Sequence, residues 1–217
     1  YTPNFNLSSD QELSEGSFSL NGGMNRSLEK KNTSYLFNDT VKLEDGFYDT
    51  RFWANNTFDS WASKQVSFTK DSKSPLLQID NPVEGENISS DFSLNATWND
   101  ETTEVETYNY TIYNETYSET GGLNDTVDSS RFEDGEYSTR FNVTDSAGNF
   151  NNSTISTTFD NTRPVLDSHT PENNDNFSSS FDVNATWSDT TSGVKSSSYE
   201  LRNSSLQVSG DLNSSID

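Results

Sequence analysis

The sequence predicts an all-β protein built from Greek-key β-sandwiches in tandem, about 89 residues to a repeat. Three observations lead there. "DGEYSTRFNVTDSAGN" (134–149) echoes "DGFYDTRFWANNTFDS" (45–60) at a shift of 89. Apolar and polar residues alternate along the longer runs, which is the signature of half-buried antiparallel strands. Clusters of Gly, Asn, Asp and Pro interrupt these runs at short intervals, as in sandwiches and barrels.

The repeat sets the organisation. "SPLLQIDNPVEGENISSDFSLNATW" (74–98) matches "RPVLDSHTPENNDNFSSSFDVNATW" (163–187), and Tyr110, Ile112 and Asn114 match Tyr199, Leu201 and Asn203 at the same shift of 89. The expected domains are therefore 1–73, incomplete at its start; 74–162, a whole copy; and 163–217, incomplete at its end. Before Leu43 the first copy aligns only if about three residues are inserted. Tyr1 reads as the start of a processed chain or of an excerpt.

Each strand follows from period two. Phe92, Leu94, Ala96 and Trp98 share one face of "DFSLNATW"; Tyr108, Tyr110 and Ile112 share one face of "TYNYTIY"; Tyr137, Thr139, Phe141 and Val143 share one face of "EYSTRFNV". Ile155, Thr157 and Phe159 continue the pattern in "STISTTF". Asp-Gly makes a turn because glycine tolerates positive φ, and the Tyr two residues after the Gly starts a strand. That spacing suits a ring in the core and a hydroxyl bonded back to the turn, as in a tyrosine corner.

"YSTRFNVTDSAGNFNNSTISTTFDNTRP" resembles the closing hairpin and linker of bacterial and archaeal immunoglobulin-like (Big-type) tandem repeats of cell-surface proteins. "SDTTSGV" (188–194) is similar to the loop such domains place after their second strand. The resemblance implies immunoglobulin-like sandwiches serving as stalks, spacers, adhesins or wall components. "NNTFDS" (55–60) departs from the Asp-x-Ala-Gly-Asn turn, which leaves the hairpin of the first copy open.

Composition restricts the partners. The net charge is −22, so there is no basic face for nucleic acid. The segment 74–162 alone carries 17 acids and 2 bases. Such a segment repels itself in dilute buffer, and molar salt screens that repulsion by shortening the Debye length to about 3 Å. Acid-rich, Lys-poor surfaces of this kind are similar to those of halophilic prokaryotes. The chain has no Cys, hence no disulfide or thiolate-metal framework. No apolar run reaches the roughly 18 residues of a membrane span.

Asn-x-Ser/Thr is over-represented. Seventeen of 26 Asn begin it: Asn6, Asn25, Asn32, Asn38, Asn55, Asn87, Asn95, Asn109, Asn114, Asn124, Asn142, Asn151, Asn152, Asn176, Asn184, Asn203 and Asn213. With 60 Ser and Thr among 217 residues, random placement would give about 7. Asn95, Asn109, Asn142 and Asn184 fall on the polar strand faces, where N-linked glycans would project into solvent. Part of the excess is automatic, since Asn, Ser and Thr share turns and outward positions, and the repeat doubles several sites.

No catalytic constellation appears. The one histidine, His169, is expected in a solvated loop. There is no Gly-x-Ser-x-Gly elbow and no phosphate-binding glycine loop, and Gly121–Gly122 is expected in a hairpin connection. Asp and Asn oxygens crowd "FDNTRP" (159–164) and "ENNDNF" (172–177), and Ca²⁺ is the cation such hard oxygens would hold. Trp53, Trp61 and Tyr113 are the candidate contact aromatics, since exposed aromatics mark protein or carbohydrate contacts.

The expected function is a structural repeat segment of an extracellular, N-glycosylated surface protein: a stalk, a surface-layer element or a filament subunit. Its partners would be adjacent repeats or copies of itself, joined by strand addition. The alternative is an adhesin or carbohydrate-binding module using the exposed aromatics.

Overall fold

The structure is a computed structural model describing residues 3–32, 35–38, 41–212 and 214–216. Among these residues, twenty strands and one 3₁₀ turn make it all-β. The first seven strands are β1 (Phe5–Ser8), β2 (Leu13–Leu20), β3 (Arg26–Ser27), β4 (Glu29–Asn32), β5 (Tyr35–Asn38), β6 (Gly46–Asn56) and β7 (Trp61–Lys70). Next come β8 (Leu76–Asn81), β9 (Glu86–Ile88), β10 (Phe92–Asn99), β11 (Val105–Tyr113), β12 (Ser118–Gly121), β13 (Asp125–Val127), β14 (Gly135–Asp145) and β15 (Phe150–Phe159). The last are β16 (Val165–Thr170), β17 (Phe181–Ser188), β18 (Ser198–Arg202), β19 (Gln207–Asp211) and β20 (Ser214–Ile216).

Backbone proximity groups the chain into two compact units. One holds Tyr1–Gln78, Trp98–Tyr108 and Asn142–Asn152; the other holds Ile79–Thr97, Asn109–Phe141 and Ser153–Asp217.

In the first unit, sheets β1-β5-β4 and β3-β2-β6-β7 close on one core. Phe5, Leu13, Phe18, Leu28, Val41 and Leu43 are buried there, with Tyr48, Phe52 and Phe68 packed against them. Phe5 stacks on Phe18 with ring centroids 4.6 Å apart. Period two along β6 does this: Thr50 is buried and Phe52 packs on the core, while Phe47 and Arg51 between and beside them are exposed.

The second unit takes in most of the sheets β13-β10-β8 and β12-β11-β14-β15-β9. Neighbouring strands run antiparallel in β10–β13 and β11–β12, whereas β9 lies parallel to β15. Leu94, Tyr110, Ile112, Phe132, Tyr137, Phe141 and Phe159 are buried. Phe159 stacks on Phe132 at 4.4 Å and meets Tyr137 edge-on at 5.1 Å. The same unit holds β16-β17-β20 and the hairpin β18-β19, where Val183 is buried and much of the remaining apolar surface is exposed. These are tandem immunoglobulin-like sandwiches repeating at 89 residues.

Three expectations change. Gly121 is the last residue of β12 rather than part of a connection, and it sits opposite Tyr110 in the ladder. His169 lies on the exposed strand β16, not in a loop, with Nδ1 2.9 Å from the Pro171 carbonyl. Tyr108 does not follow Tyr110 into the core; it is exposed and stacks on Trp98 at 4.2 Å.

Candidate functional site

Polar side chains that recur at the 89-residue shift hold the turns and linkers. In the hairpin β14–β15, Asp145 is buried; its Oδ1 accepts from the amides of Ala147 and Asn149, and Gly148 takes φ +86°. In β6–β7, Asn56 stands at the Asp145 position, and its Oδ1 accepts from the amides of Phe58 and Ser60. Asp59 stands at the Gly148 position with φ +58°. The divergent "NNTFDS" therefore builds the same kind of turn. An amide oxygen replaces a carboxylate oxygen as acceptor, and Asp is among the non-glycine residues that tolerate left-handed backbone.

The Asp before each turn glycine binds the linker that follows. Asp45 accepts from Lys70 Nζ at 2.5 Å and from Ser72 Oγ at 3.0 Å. Asp134, 89 residues on, accepts from the Asn161 amide at 2.6 Å and from the Thr162 hydroxyl. The Lys70 hydrogen bond holds the Asp45 carboxyl below the usual carboxylate range, and the Thr162 hydroxyl does the same for Asp134. Between turn and strand, the Tyr48 hydroxyl donates to the Glu44 carbonyl at 2.9 Å, which is the tyrosine-corner bond the spacing predicts.

The linker aspartates engage the loop after a strand. Asp71 accepts from the Thr103 hydroxyl at 2.6 Å, and Asp100 accepts from the amides of Thr102 and Thr103 at 2.9 Å. The counterparts are Asp160, which accepts from the Ser192 amide, and Asp189, which accepts from Thr191, Ser192 and Gly193, all at 3.1 Å. Burial pushes the carboxyls of Asp71 and Asp189 upward. Hydrogen bonds outweigh it, from the Thr103 hydroxyl and Lys73 amide in one and from three backbone amides in the other, so both end below the usual range.

Asp71, Asp100 and Asp145 bring one carboxylate oxygen each within 4.8 Å of one another. These are the residues, among those described, that could hold a hard cation such as Ca²⁺. They supply three of the six to eight oxygens such an ion takes. All three already serve as acceptors for neighbouring turn or loop donors. The two stretches singled out in the sequence behave differently. "FDNTRP" contributes Asp160, the counterpart of Asp71. "ENNDNF" instead closes a turn in which the Glu172 amide donates to Asp175 at 2.8 Å. The sequence signal for the cluster was the shift itself: Asp71/Asp160 and Asp100/Asp189 are repeat-mates.

The contact aromatics do not converge. Trp53 is half-buried, with the Arg51 guanidinium 5.5 Å from its ring centre. Trp61 is 56% exposed, and the β6–β7 register places it on the same sheet face as Trp53. Tyr113 belongs to β11 and is half-buried, with the Arg140 guanidinium at 5.8 Å. Trp53, Phe47, Arg51, Asp49 and Gln65 line an open cleft of about 740 Å³.

The glycan acceptors differ in access. Asn6, Asn25, Asn32, Asn87, Asn124, Asn152, Asn176, Asn184 and Asn203 are exposed, and Asn95, Asn109, Asn114, Asn142 and Asn151 are half-buried. Asn55 is 3% exposed; its Oδ1 accepts from the Glu15 amide and its Nδ2 donates to Asp59. The folded chain thus leaves no room for a sugar at Asn55. Asn38 is placed by its backbone, in β5, and Asn213 lies outside the described residues.

No family model and no curated protein matches the chain. Among solved structures it is similar to the fibronectin(III)-like modules of Clostridium thermocellum CbhA: 11% identity, 73% of this chain and 86% of that one, TM-score 0.41. It is also similar to a tetra-tandem repeat from the extending region of a large adhesion protein: 15% identity, 99% of this chain and 61% of that one, TM-score 0.35. The strand order and the buried faces define the sandwiches.

Proposed function

We propose that the chain is a structural segment of an extracellular, N-glycosylated surface protein, a stalk or filament element whose repeats span 1–73, 74–162 and 163–217. The observation that carries this reading is the repeated fastening of the linkers. Asp71 and Asp160, 89 residues apart, each accept from the loop that follows, while Asp45 and Asp134 tie the same linkers to the turn that precedes. A linker bonded on both sides resists bending, unlike a Gly/Ser tether. The acidic surface suits a salt-rich medium. The exposed sequons give the glycans outward-facing anchors, with Asn87, Asn152, Asn176 and Asn184 the preferred sites.

Hydrogen exchange tests the mechanical part. The linker amides at 71–74 and 160–163 exchange as slowly as edge-strand amides in this reading, and Asp71→Ala and Asp160→Ala each accelerate the adjacent linker. Linkers that exchange at the unprotected rate in the parent chain would sink it. Intact mass of protein from its native source tests glycosylation, and a mass equal to the bare polypeptide would remove that part.

A second reading is favoured by the cleft of about 740 Å³ on the outer face of β6. Its Trp53 and Phe47 rings, flanked by Arg51, Asp49 and Gln65, have the chemistry to stack and hydrogen-bond a sugar. A glycan array with Trp53→Ala as control separates the two readings.

A further inference from the structure

We propose that Asn25 carries an N-linked glycan whose first sugars lie in the cleft on the outer face of β6, stacked on Trp53. The inference rests on the N-glycosylated reading above, and it gives the cleft an occupant from the same chain.

The strand ladder fixes the geometry. β3 pairs Arg26 with Phe18, so Asn25, the residue before, stands beside Ser19. Ser19 pairs with Arg51, and Arg51 with Gln65. Residues 25, 19, 51 and 65 therefore form one row across the sheet, and all four line the cleft of about 740 Å³. Phe18 and Phe52, next to this row on β2 and β6, belong to the core, which turns the row outward. Trp53 lies two residues beyond Arg51 on the same face of β6. With strands about 4.8 Å apart and a rise of about 3.4 Å per residue, the Asn25 and Trp53 backbones are about 12 Å apart. The arrangement has a counterpart in the next repeat. Arg140, 89 residues after Arg51, lies 5.8 Å from the Tyr113 ring centre, and Tyr113 and the sequon residue Asn114 line a second open cleft of about 640 Å³.

The chemistry fits a sugar at that rim. Asn25 opens Asn-Arg-Ser and is exposed, whereas Asn21, which also lines the cleft, opens no sequon. Asn55, the sequon residue closest to Trp53 in the chain, is buried with both amide atoms hydrogen-bonded. Attachment exchanges one Nδ2–H of Asn25 for an Nδ2–C1 bond. The C1–O bond of a phosphate-activated glycosyl donor breaks, its phosphate leaves with the bonding pair, and the amide proton goes to a solvent base. Trp53 is half-buried with the Arg51 guanidinium 5.5 Å from its ring centre, so the indole is a held platform. The C–H face of a pyranose is slightly positive and the face of an indole negative, which favours stacking. Arg51, Asp49 and Gln65 offer donors and acceptors to the hydroxyls. An open cleft holds a free sugar weakly. A sugar tethered at the rim is present at an effective concentration in the millimolar range, so weak stacking suffices to seat it.

Glycopeptide mapping of protein from its native source, followed by carbon–proton NMR of the intact glycoprotein, tests this. The expected result is sugar on Asn25, with some of its C–H protons shifted upfield by the indole ring current. Those shifted signals should vanish in Asn25→Gln and return to free-sugar positions in Trp53→Ala. Asn25 is exposed, so Asn25→Gln keeps the parent's β circular dichroism and melting. Should Trp53→Ala unfold, the Trp53 indole N–H signal carries the test, since it should move between parent and Asn25→Gln. A bare Asn25 beside occupied sequons elsewhere would overturn the proposal and leave the glycoprotein reading intact. Sugar on Asn25 with unshifted protons and an unmoved indole signal would also overturn it. Bare asparagine at every sequon would overturn both. None of these outcomes touches the linker-exchange test of the structural reading.

Discussion

Tyr110 on β11 lies directly across from Gly121 on β12, and its ring covers the space where a side chain would stand: a Cβ on Gly121 would come 2.5 Å from the Tyr110 hydroxyl oxygen. The pair recurs at the 89-residue shift as Tyr199 and Gly210, where the corresponding approach is 3.0 Å. An aromatic ring laid over a strand glycine restores the packing that glycine forfeits. Gly121→Ala therefore forces a buried ring to move and should cost about 1–3 kcal/mol, the range for overpacking a tight site. Gly210→Ala faces a looser contact with a half-buried ring and should cost less. Urea unfolding of the two variants in molar salt ranks them; an equal or reversed ranking would contradict this account.

The pH dependence follows from the linker fastening. Asp134 has a folded pKa below its unfolded value of roughly 3.9. A depressed carboxylate adds stability above the unfolded value, and that contribution fades as pH falls through the folded one. Wild type should therefore lose stability relative to Asp134→Asn between about pH 5 and pH 2, while the difference between them stays flat above pH 5. Asp45→Asn should behave the same way. The difference is the quantity to measure, since acidification also relieves the repulsion of a chain at −22.

Thr139, like its counterpart Thr50, is buried in the core, and among the described residues its hydroxyl has no hydrogen-bond partner. Replacing that hydroxyl by a methyl of nearly the same shape removes a desolvation penalty. Thr139→Val should raise stability by about 1 kcal/mol, visible as a melting temperature a few degrees higher. A lower melting temperature would mean that the hydroxyl has a partner in solution.

Tyr48→Phe keeps the ring against Phe68, 5.5 Å away, and deletes only the bond to the Glu44 carbonyl. The expected loss is about 1 kcal/mol. Retained β circular dichroism would show that the corner secures the turn rather than the fold.

The strands were legible because their information is local. Alternation along "DFSLNATW" or "EYSTRFNV" reports which side chains face inward whatever lies opposite, and Leu94, Tyr137 and Phe141 are buried as it requires. The repeat was equally plain, since it is a comparison of the chain with itself. The turn in "NNTFDS" was not: nothing in its letters says that Asn56 accepts where Asp145 does, or that Asp59 takes the backbone angle of Gly148. Tyr108 misled because alternation cannot say where a strand runs past the end of its sheet's core.

What the sequence by itself determined is most of the faces, meaning which residues of the longer strands go inward, Tyr108 apart, together with the recurrence of the unit every 89 residues. Only the tertiary structure decided which distant groups meet. Asp71 with Asp100 and Asp145, and Ile88 against β15, depend on pairing between segments far apart in the chain. The reason is physical: side-chain alternation is set by the geometry of one strand, whereas strand neighbours are chosen by the whole core.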